Sequence, residues 1–183
     1  IKHWGPKKSS RILSQVSSDE IVDLMRTLPE NEAHTFISYL KDTKVAKIEK
    51  LREYPDDTAG GLMTLDFINA KLDWTVSKTI KEIKKLSKTL RSIIYIYVTD
   101  ENGVFCGPVS LRTLIISSPR KKLKNLVKDF SMNAVLKGDF KLDKIIEIMT
   151  KYNLYTCAVV DENNKLLGIV SIDDVMRSLF PHA

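Results

Sequence analysis

Val98-Thr-Asp-Glu-Asn-Gly103 and Gly107-Pro-Val-Ser-Leu-Arg-Thr-Leu114 return, 61 residues later, as Val159-Val-Asp-Glu-Asn-Asn164 and Gly168-Ile-Val-Ser-Ile-Asp-Asp-Val175. Each copy reads as strand, tight turn, strand and helix. β-branched and aromatic residues fill the first strand, Ile93-Ile-Tyr-Ile-Tyr-Val98 and then Thr156-Cys-Ala-Val-Val160. Asp-Glu-Asn suits the turn, from Asp100 to Gly103 and from Asp161 to Asn164. Working outward, an amphipathic helix precedes each strand pair, carried by Ile80, Ile83 and Leu86 and then by Ile145, Ile148 and Met149. Further upstream Ile68-Asn-Ala70 returns as Met132-Asn-Ala134 at an offset of 64, which assigns the first copy three extra residues around Ser87 to Ser92. Two β-α-β-β-α units of this kind imply one α/β domain with pseudo-twofold symmetry, with residues 64–118 as the first unit and 126–181 as the second. A basic linker, residues 119–125, joins them.

The first 55 residues read as helical. Ser17 with Glu20 offers a capping box, and Ile21, Leu24, Met25 and Leu28 then fall on one helix face. Pro29 ends that helix and can start the next, where Ala33, Phe36, Ile37 and Leu40 repeat the spacing. A third helix is expected from about Thr43 to Tyr54, with Val45, Ile48 and Leu51 inward. Three short helices bury little area alone, so they should pack on a neighbour. Residues 56–63 read as a connecting segment: Pro55 just before it stops the helix, and Gly60-Gly61 within it allows a sharp turn.

Composition narrows the function. Of the 183 residues, 43% are hydrophobic and 28% charged, the balance of a globular protein. No stretch approaches the roughly 18 uninterrupted apolar residues of a membrane span, and nothing at the start resembles a signal peptide. The chain starts at Ile1, which reads as a piece cut from something longer. Cys106 and Cys157 lie in apolar stretches without partners at zinc-ligand spacing, and read as small core residues. His3, His34 and His182 are scattered, and no Walker A loop or dinucleotide fingerprint occurs, so the chain reads as non-enzymatic. The net charge is +6, and Arg120-Lys-Lys-Leu-Lys124 with Lys128 forms a basic run. That run reads either as a solvated linker or as a contact for phosphate or anionic lipid. Nucleic-acid binding would rest on charge alone, because aromatics are not interleaved with these lysines.

The two units resemble CBS motifs, which pair into a Bateman module. The hairpin turns followed by Gly107-Pro-Val-Ser-Leu-Arg and Gly168-Ile-Val-Ser-Ile-Asp-Asp-Val carry the likeness, and Thr113 stands where an Asp is usual. A narrower string, Tyr54-Pro-Asp-Asp-Thr-Ala-Gly-Gly-Leu-Met-Thr64, with Tyr95-Ile-Tyr-Val98 and Val109-Ser-Leu-Arg112, resembles the MgtE family of magnesium channels or transporters. That resemblance implies a helical N domain before the CBS pair and a connecting helix leading to a transmembrane pore of the same full-length chain. It further implies a place at the cytoplasmic face of the inner membrane and a homodimer through the CBS module.

The resemblance also implies ligands. In the family, acids of the N domain and CBS pair repel until Mg²⁺ neutralises them, and the pore then shuts. Asp19 and Asp23, one helical turn apart, match the N-domain pair, and Asp143 and Asp174 match acids of the second copy. Lys141, Asn153 and Arg177 stand where acids can be found, and Lys141 and Arg177 could pair with carboxylates in place of the metal. Each lone acid also reads as a solvated helix-face charge. CBS pairs also hold adenosine nucleotides such as ATP or AMP. Here Asp174 matches the ribose-binding position with Ser171 beside it, Arg112 could meet phosphate and Tyr95 could flank the base. Asp174 reads equally as a cap of the closing helix, so three uses compete for one carboxylate.

Overall fold

The computed structural model describes residues 6–86, 93–127 and 131–180. Four helices come first: α1 (Pro6–Leu13), α2 (Ser18–Arg26), α3 (Glu30–Ile37) and α4 (Asp42–Arg52). Glu20 accepts hydrogen bonds from the Ser17 N–H at 3.2 Å and the Ser17 hydroxyl at 2.9 Å, fixing the start of α2. Pro29 precedes α3, and Ile48 and Leu51 of α4 are buried. α1 has no counterpart in the expected three helices. Its carbonyl end is met by the Lys44 ammonium, which donates to Leu13 O at 3.0 Å, to Ser14 O at 3.3 Å and to Val16 O. A cation at a helix C-terminus satisfies carbonyls that have no partner within the helix.

Two three-stranded sheets follow. The first unit holds β1 (Asn69–Lys71), α6 (Val76–Leu86), β2 (Tyr95–Thr99), β3 (Phe105–Ser110) and α7 (Leu111–Ile116), after a short helix α5 (Ala59–Leu62). The second holds β4 (Leu136–Lys137), α8 (Leu142–Lys151), β5 (Thr156–Val160), β6 (Leu166–Ser171) and α9 (Ile172–Leu179). In each sheet the central strand pairs parallel to the short strand before it and antiparallel to the one after it. The β-α-β-β-α order is the expected one, but the register of the repeat differs at its start. Ala70 pairs with Val98, and Leu136 pairs with Val159. Lys71 donates to Asp100 O and Lys137 to Asp161 O, each at 2.7 Å. The structural offset there is therefore 66, not 64, and Met132–Ala134 forms a 3₁₀ turn before the strand. The expected insertion at 87–92 lies outside the described residues.

The two hairpins meet reciprocally. The Phe105 N–H donates to Asn164 O at 2.9 Å, and the Leu166 N–H donates to Gly103 O at 3.1 Å. Between the sheets Tyr97, Phe105, Val135, Ala158 and Val160 form one buried cluster. The Tyr97 hydroxyl donates to Thr156 Oγ1 at 2.7 Å. Tyr97→Phe should lower unfolding free energy by about 1 kcal/mol, the typical net worth of one hydrogen bond. Urea unfolding reads it, and an unchanged midpoint would show that the bond adds nothing to docking of the units.

Ile21, Val22, Met25, Ala33, Ile48 and Leu51 of the N-terminal helices share one core with Leu136, Ile145, Ile148, Met149 and Val175 of the second unit. The N-terminal helices therefore find their missing neighbour in that unit. Residues 55–64 form a strap held against it as well. The Ala59 N–H donates to Phe140 O and Gly60 N–H to Gly138 O, both at 2.8 Å, and Thr64 pairs with Ile169. Gly60 and Gly61 are not in the left-handed region, contrary to the sharp turn expected. They are glycines because a Cβ at Gly60 would lie 2.2 Å from the Tyr54 ring and one at Gly61 would lie 2.1 Å from Pro55 O. The basic linker is likewise held in place: Leu123 is buried, and its N–H donates to Trp74 O at 2.9 Å.

Candidate functional site

The charged seam lies where α2 meets the second unit. Asp19 and Asp23 share one face of α2, as their spacing requires. Ile21 and Val22 beside them enter the same core as Val175 of α9, and the Asp19 charge reaches Asp174 on that helix. On α9, Asp174 is buried at 8% exposure. It accepts from the Ser171 N–H at 2.9 Å and the Ser171 hydroxyl at 2.5 Å, and its own N–H donates to Ser171 Oγ. Its other oxygen pairs with the Arg177 guanidinium. The helix-cap reading of Asp174 is therefore realised in the structure, and Arg177 takes up the carboxylate's remaining charge.

Burial pushes the Asp174 carboxyl above its ordinary value. The Ser171 hydrogen bonds and the Arg177 charge oppose this, and the Asp19 charge adds to it. Asp23 is also raised, by burial first, then pulled down by Arg26 and up by Asp19. Its side chain is 64% exposed, so solvent screens that effect, and Asp174 is the stronger case. The mutual influence of Asp19, Asp23, Asp174 and Arg177 marks them as one electrostatic cluster. Within it, Asp19 Oδ1 is buried and accepts no hydrogen bond from any described residue, and the neighbouring Ser18 hydroxyl is in the same condition.

Asp143 lies on another element. It is exposed in the first turn of α8. Lys141, just before it, pairs instead with Asp57 of the strap at 2.7 Å, and this lowers the Asp57 carboxyl pKa. Arg26 links Asp23 at 3.2 Å, Asp56 at 2.8 Å and Tyr54 O at 3.3 Å. Asp56 and Asp57 thus tie the strap to α2 and α8, a role their sequence reading did not assign. The only signal was their place in the Asp-Asp-Thr-Ala-Gly-Gly string. Asn153 ends α8 in the left-handed conformation, φ 52°, where Asn is tolerated. Among the described residues no three His, Cys, Asp or Glu side chains form a set that could hold a metal ion.

The four nucleotide candidates fall into two equivalent places. Tyr95 lies opposite Ser110 across β2 and β3, with Arg112 exposed at the start of α7. Thr156 lies opposite Ser171 across β5 and β6, with Asp174 in α9. Ser110 caps α7, accepting from the Thr113 N–H at 3.0 Å, and its hydroxyl lies 2.8 Å from Thr113 Oγ1. Thr113 therefore repeats the capping of Asp174 with a hydroxyl in place of a carboxylate. Tyr95 and Arg112 belong to the first place, Ser171 and Asp174 to the second. Cys157 is buried, with its thiol pushed up to about 12, and is inert core, whereas Cys106 is only half-buried. Trp74 packs half-buried against the first unit's core, and Trp4, His3 and His182 lie outside the described residues.

Comparison with known proteins adds the context. The family model for the MgtE intracellular N domain matches residues 1–57, and that for the CBS domain matches residues 127–181. The magnesium transporter MgtE of Thermus thermophilus is 30% identical over 166 residues, covering 89% of this chain and 36% of that protein. The one from Bacillus subtilis is 27% identical over 174 residues, 94% of this chain and 38% of that protein. The chain thus spans little more than a third of these curated relatives. The cytosolic domain of the Mg²⁺ channel MgtE, solved in complex with ATP, superposes with a TM-score of 0.85 at 27% identity, covering 96% of this chain and 76% of that one.

Proposed function

The chain is the N-domain and CBS region of a member of the MgtE family, and from that premise we propose that it is the regulatory arm of a magnesium transporter, responding to Mg²⁺ at the seam between α2 and α9. The observation that carries this reading is Asp19 Oδ1, a buried carboxylate oxygen without a donor, one turn from Asp23 and within electrostatic reach of Asp174. Such an atom is costly unless a cation satisfies it. Mg²⁺ keeps several waters and needs only one or two carboxylates, so it fits a cluster with no complete protein cage. Asp19, Asp23 and Asp174 would hold it, partly through water, with Asp143 at the margin. Bound there, the ion supplies two positive charges in place of the mutual repulsion. Arg177 already offers one such charge, so it competes with the ion and sets the concentration at which the seam responds. An ion that prefers the closed seam shifts the population toward it, and the pore continuing the chain would read that shift at the cytoplasmic face of the membrane. The arm regulates and does not catalyse.

Calorimetric titration of Mg²⁺, with Ca²⁺ in parallel, tests this reading. Saturable binding should weaken at least about tenfold in Asp19→Asn, about 1.4 kcal/mol. Equal binding by wild type and variant would remove the seam from consideration.

An adenosine nucleotide is the second reading, favoured by the ATP complex of the solved relative. Of the two equivalent places, Ser171–Asp174 alone offers the carboxylate that ribose hydroxyls need, though Arg177 must first release it. Tyr95 and Arg112 would serve base and phosphate at the other place. ATP or AMP in the same calorimeter decides between the places, because loss of affinity in Asp174→Ala selects the second. A homodimer through the CBS module fits the apolar side chains left exposed on α9, Ile172, Met176 and Leu179, and that of Phe180 just after it.

A further inference from the structure

We infer that the face of the first unit formed by α6 and the 119–124 linker is a docking surface for an anionic membrane leaflet. The sequence separates the two basic runs by about forty residues, and the fold joins them. The Val76 N–H donates to Lys121 O and Ser77 N–H to Pro119 O, each at 2.9 Å, while Thr75 pairs with Lys122. The linker is therefore bound across the start of α6. From it Arg120, Lys121, Lys122 and Lys124 are exposed, and from α6 so are Lys78, Lys81, Lys84 and Lys85.

The charge balance of this face is strongly positive. Residues 73–85 and 119–124 hold those eight basic side chains against Asp73 and Glu82, a net charge of six. That equals the net charge of the whole chain, so the remainder carries equal numbers of each sign. A solvated surface drawn from a lysine-rich composition would spread its excess. Here a net charge of six lies on two segments that the fold joins, as electrostatic attraction to an extended anionic surface requires.

Apolar side chains beside the patch favour a lipid surface over a nucleic acid. α7 packs against α6 and leads directly into the basic linker. It leaves Ile115 at 65% and Ile116 at 75% exposure. Basic residues flanking exposed aliphatic ones suit the headgroup and acyl boundary. Phosphate backbones offer isoleucine nothing, and the one nearby indole, Trp74, is half-buried with the Lys78 ammonium 4.2 Å above its ring, so it gives no open stacking platform. The inference rests on the reading of this chain as part of a membrane transporter, which keeps the region within reach of a leaflet. Among the described residues no helix is long and apolar enough to cross a membrane.

Vesicle sedimentation of the 183-residue chain, in chelated Mg²⁺-free buffer, tests the inference. Vesicles of phosphatidylcholine with about one-third phosphatidylglycerol should bind it, pure phosphatidylcholine should not, and binding should fall steeply between about 50 and 300 mM salt. Combined Lys81→Gln, Lys121→Gln, Lys122→Gln and Lys124→Gln should weaken partitioning at least about tenfold, since each lysine near such a surface is worth about fivefold. Ile115→Ser with Ile116→Ser should weaken it further. Lys144→Gln with Lys151→Gln, equally exposed on α8, should leave it unchanged. Equal binding to neutral vesicles, equal loss in the α8 variant, or tighter binding to duplex DNA or single-stranded RNA than to anionic vesicles at the same salt would each overturn it. Mg²⁺ titration reads α2 and α9 alone, so a chain that binds Mg²⁺ but not vesicles loses this inference and keeps the seam.

Discussion

Gly61→Val should cost the fold about 3 kcal/mol or more, with the urea midpoint falling accordingly. A Cβ at Gly61 would sit 2.1 Å from Pro55 O, 2.9 Å from Pro55 C and 3.0 Å from Asp56 Cα. All three are backbone atoms of the strap, so no side-chain rotation relieves the clash. The strap must lift, and with it the backbone bonds from Ala59 to Phe140 and from Gly60 to Gly138, each worth about 1 kcal/mol net. Met63, fully buried against Gly168, would follow, and burial of a side chain of that size is worth about 2 kcal/mol. Gly103→Asn serves as the contrast. Gly103 has φ +84° with open space around it, and Asn164 occupies the equivalent turn position with φ 58°. That substitution should be close to neutral. Equal losses in the two variants would mean that the strap is not packed as described.

Periodicity made much of this fold legible, and contact made the rest. The capping at Ser17, the break at Pro29, the inward Ile48 and Leu51 and the doubled hairpin all appear where local chemistry places them. Features set by distant partners were not legible. α1 is stabilised from outside by Lys44, thirty-one residues beyond Leu13, so its own short sequence gave no decisive pattern. The repeat slipped because Ile68-Asn-Ala and Met132-Asn-Ala match as letters, whereas the strand pairing and the equivalent bonds of Lys71 and Lys137 define the true register. Gly60 and Gly61 read as a turn because glycine in a chain signals freedom, while here it signals close approach. At the site, residue type predicted that Arg177 could take a carboxylate, and it does, with Asp174. Lys141 found Asp57, eighty-four residues away, a pairing that only the docked strap creates.

Arg177→Gln should lower stability by about 1–2 kcal/mol at pH 7.5, and Mg²⁺ should restore most of the loss. Breaking a buried ion pair typically costs about 3–5 kcal/mol, because the abandoned charge stays buried. The side chain of Asp174 is 10% exposed but that of Arg177 is 54% exposed, so solvent already screens the pair and the smaller figure applies. The pH dependence identifies the cause. Burial holds the folded Asp174 pKa above its ordinary 3.8, despite Ser171 and Arg177. The folded chain therefore holds this proton more tightly than the unfolded chain does. Stability from this group is greatest below 3.8 and declines as pH rises through the elevated value. Without Arg177 the folded value moves higher still, so the decline extends to higher pH. The gap between wild type and variant must then be widest at neutral pH and close as Asp174 becomes protonated. A gap of constant size from pH 7.5 down to about 4 would assign the loss to packing of the arginine stem instead. Mg²⁺ supplies a second discriminator. If the ion binds at the seam, within electrostatic reach of Asp174, it replaces the lost guanidinium and stabilises the variant more than the wild type, in which Arg177 still competes. Equal stabilisation of both would separate the ion from Asp174 and leave Arg177 as a permanent internal counter-ion that closes the seam without metal.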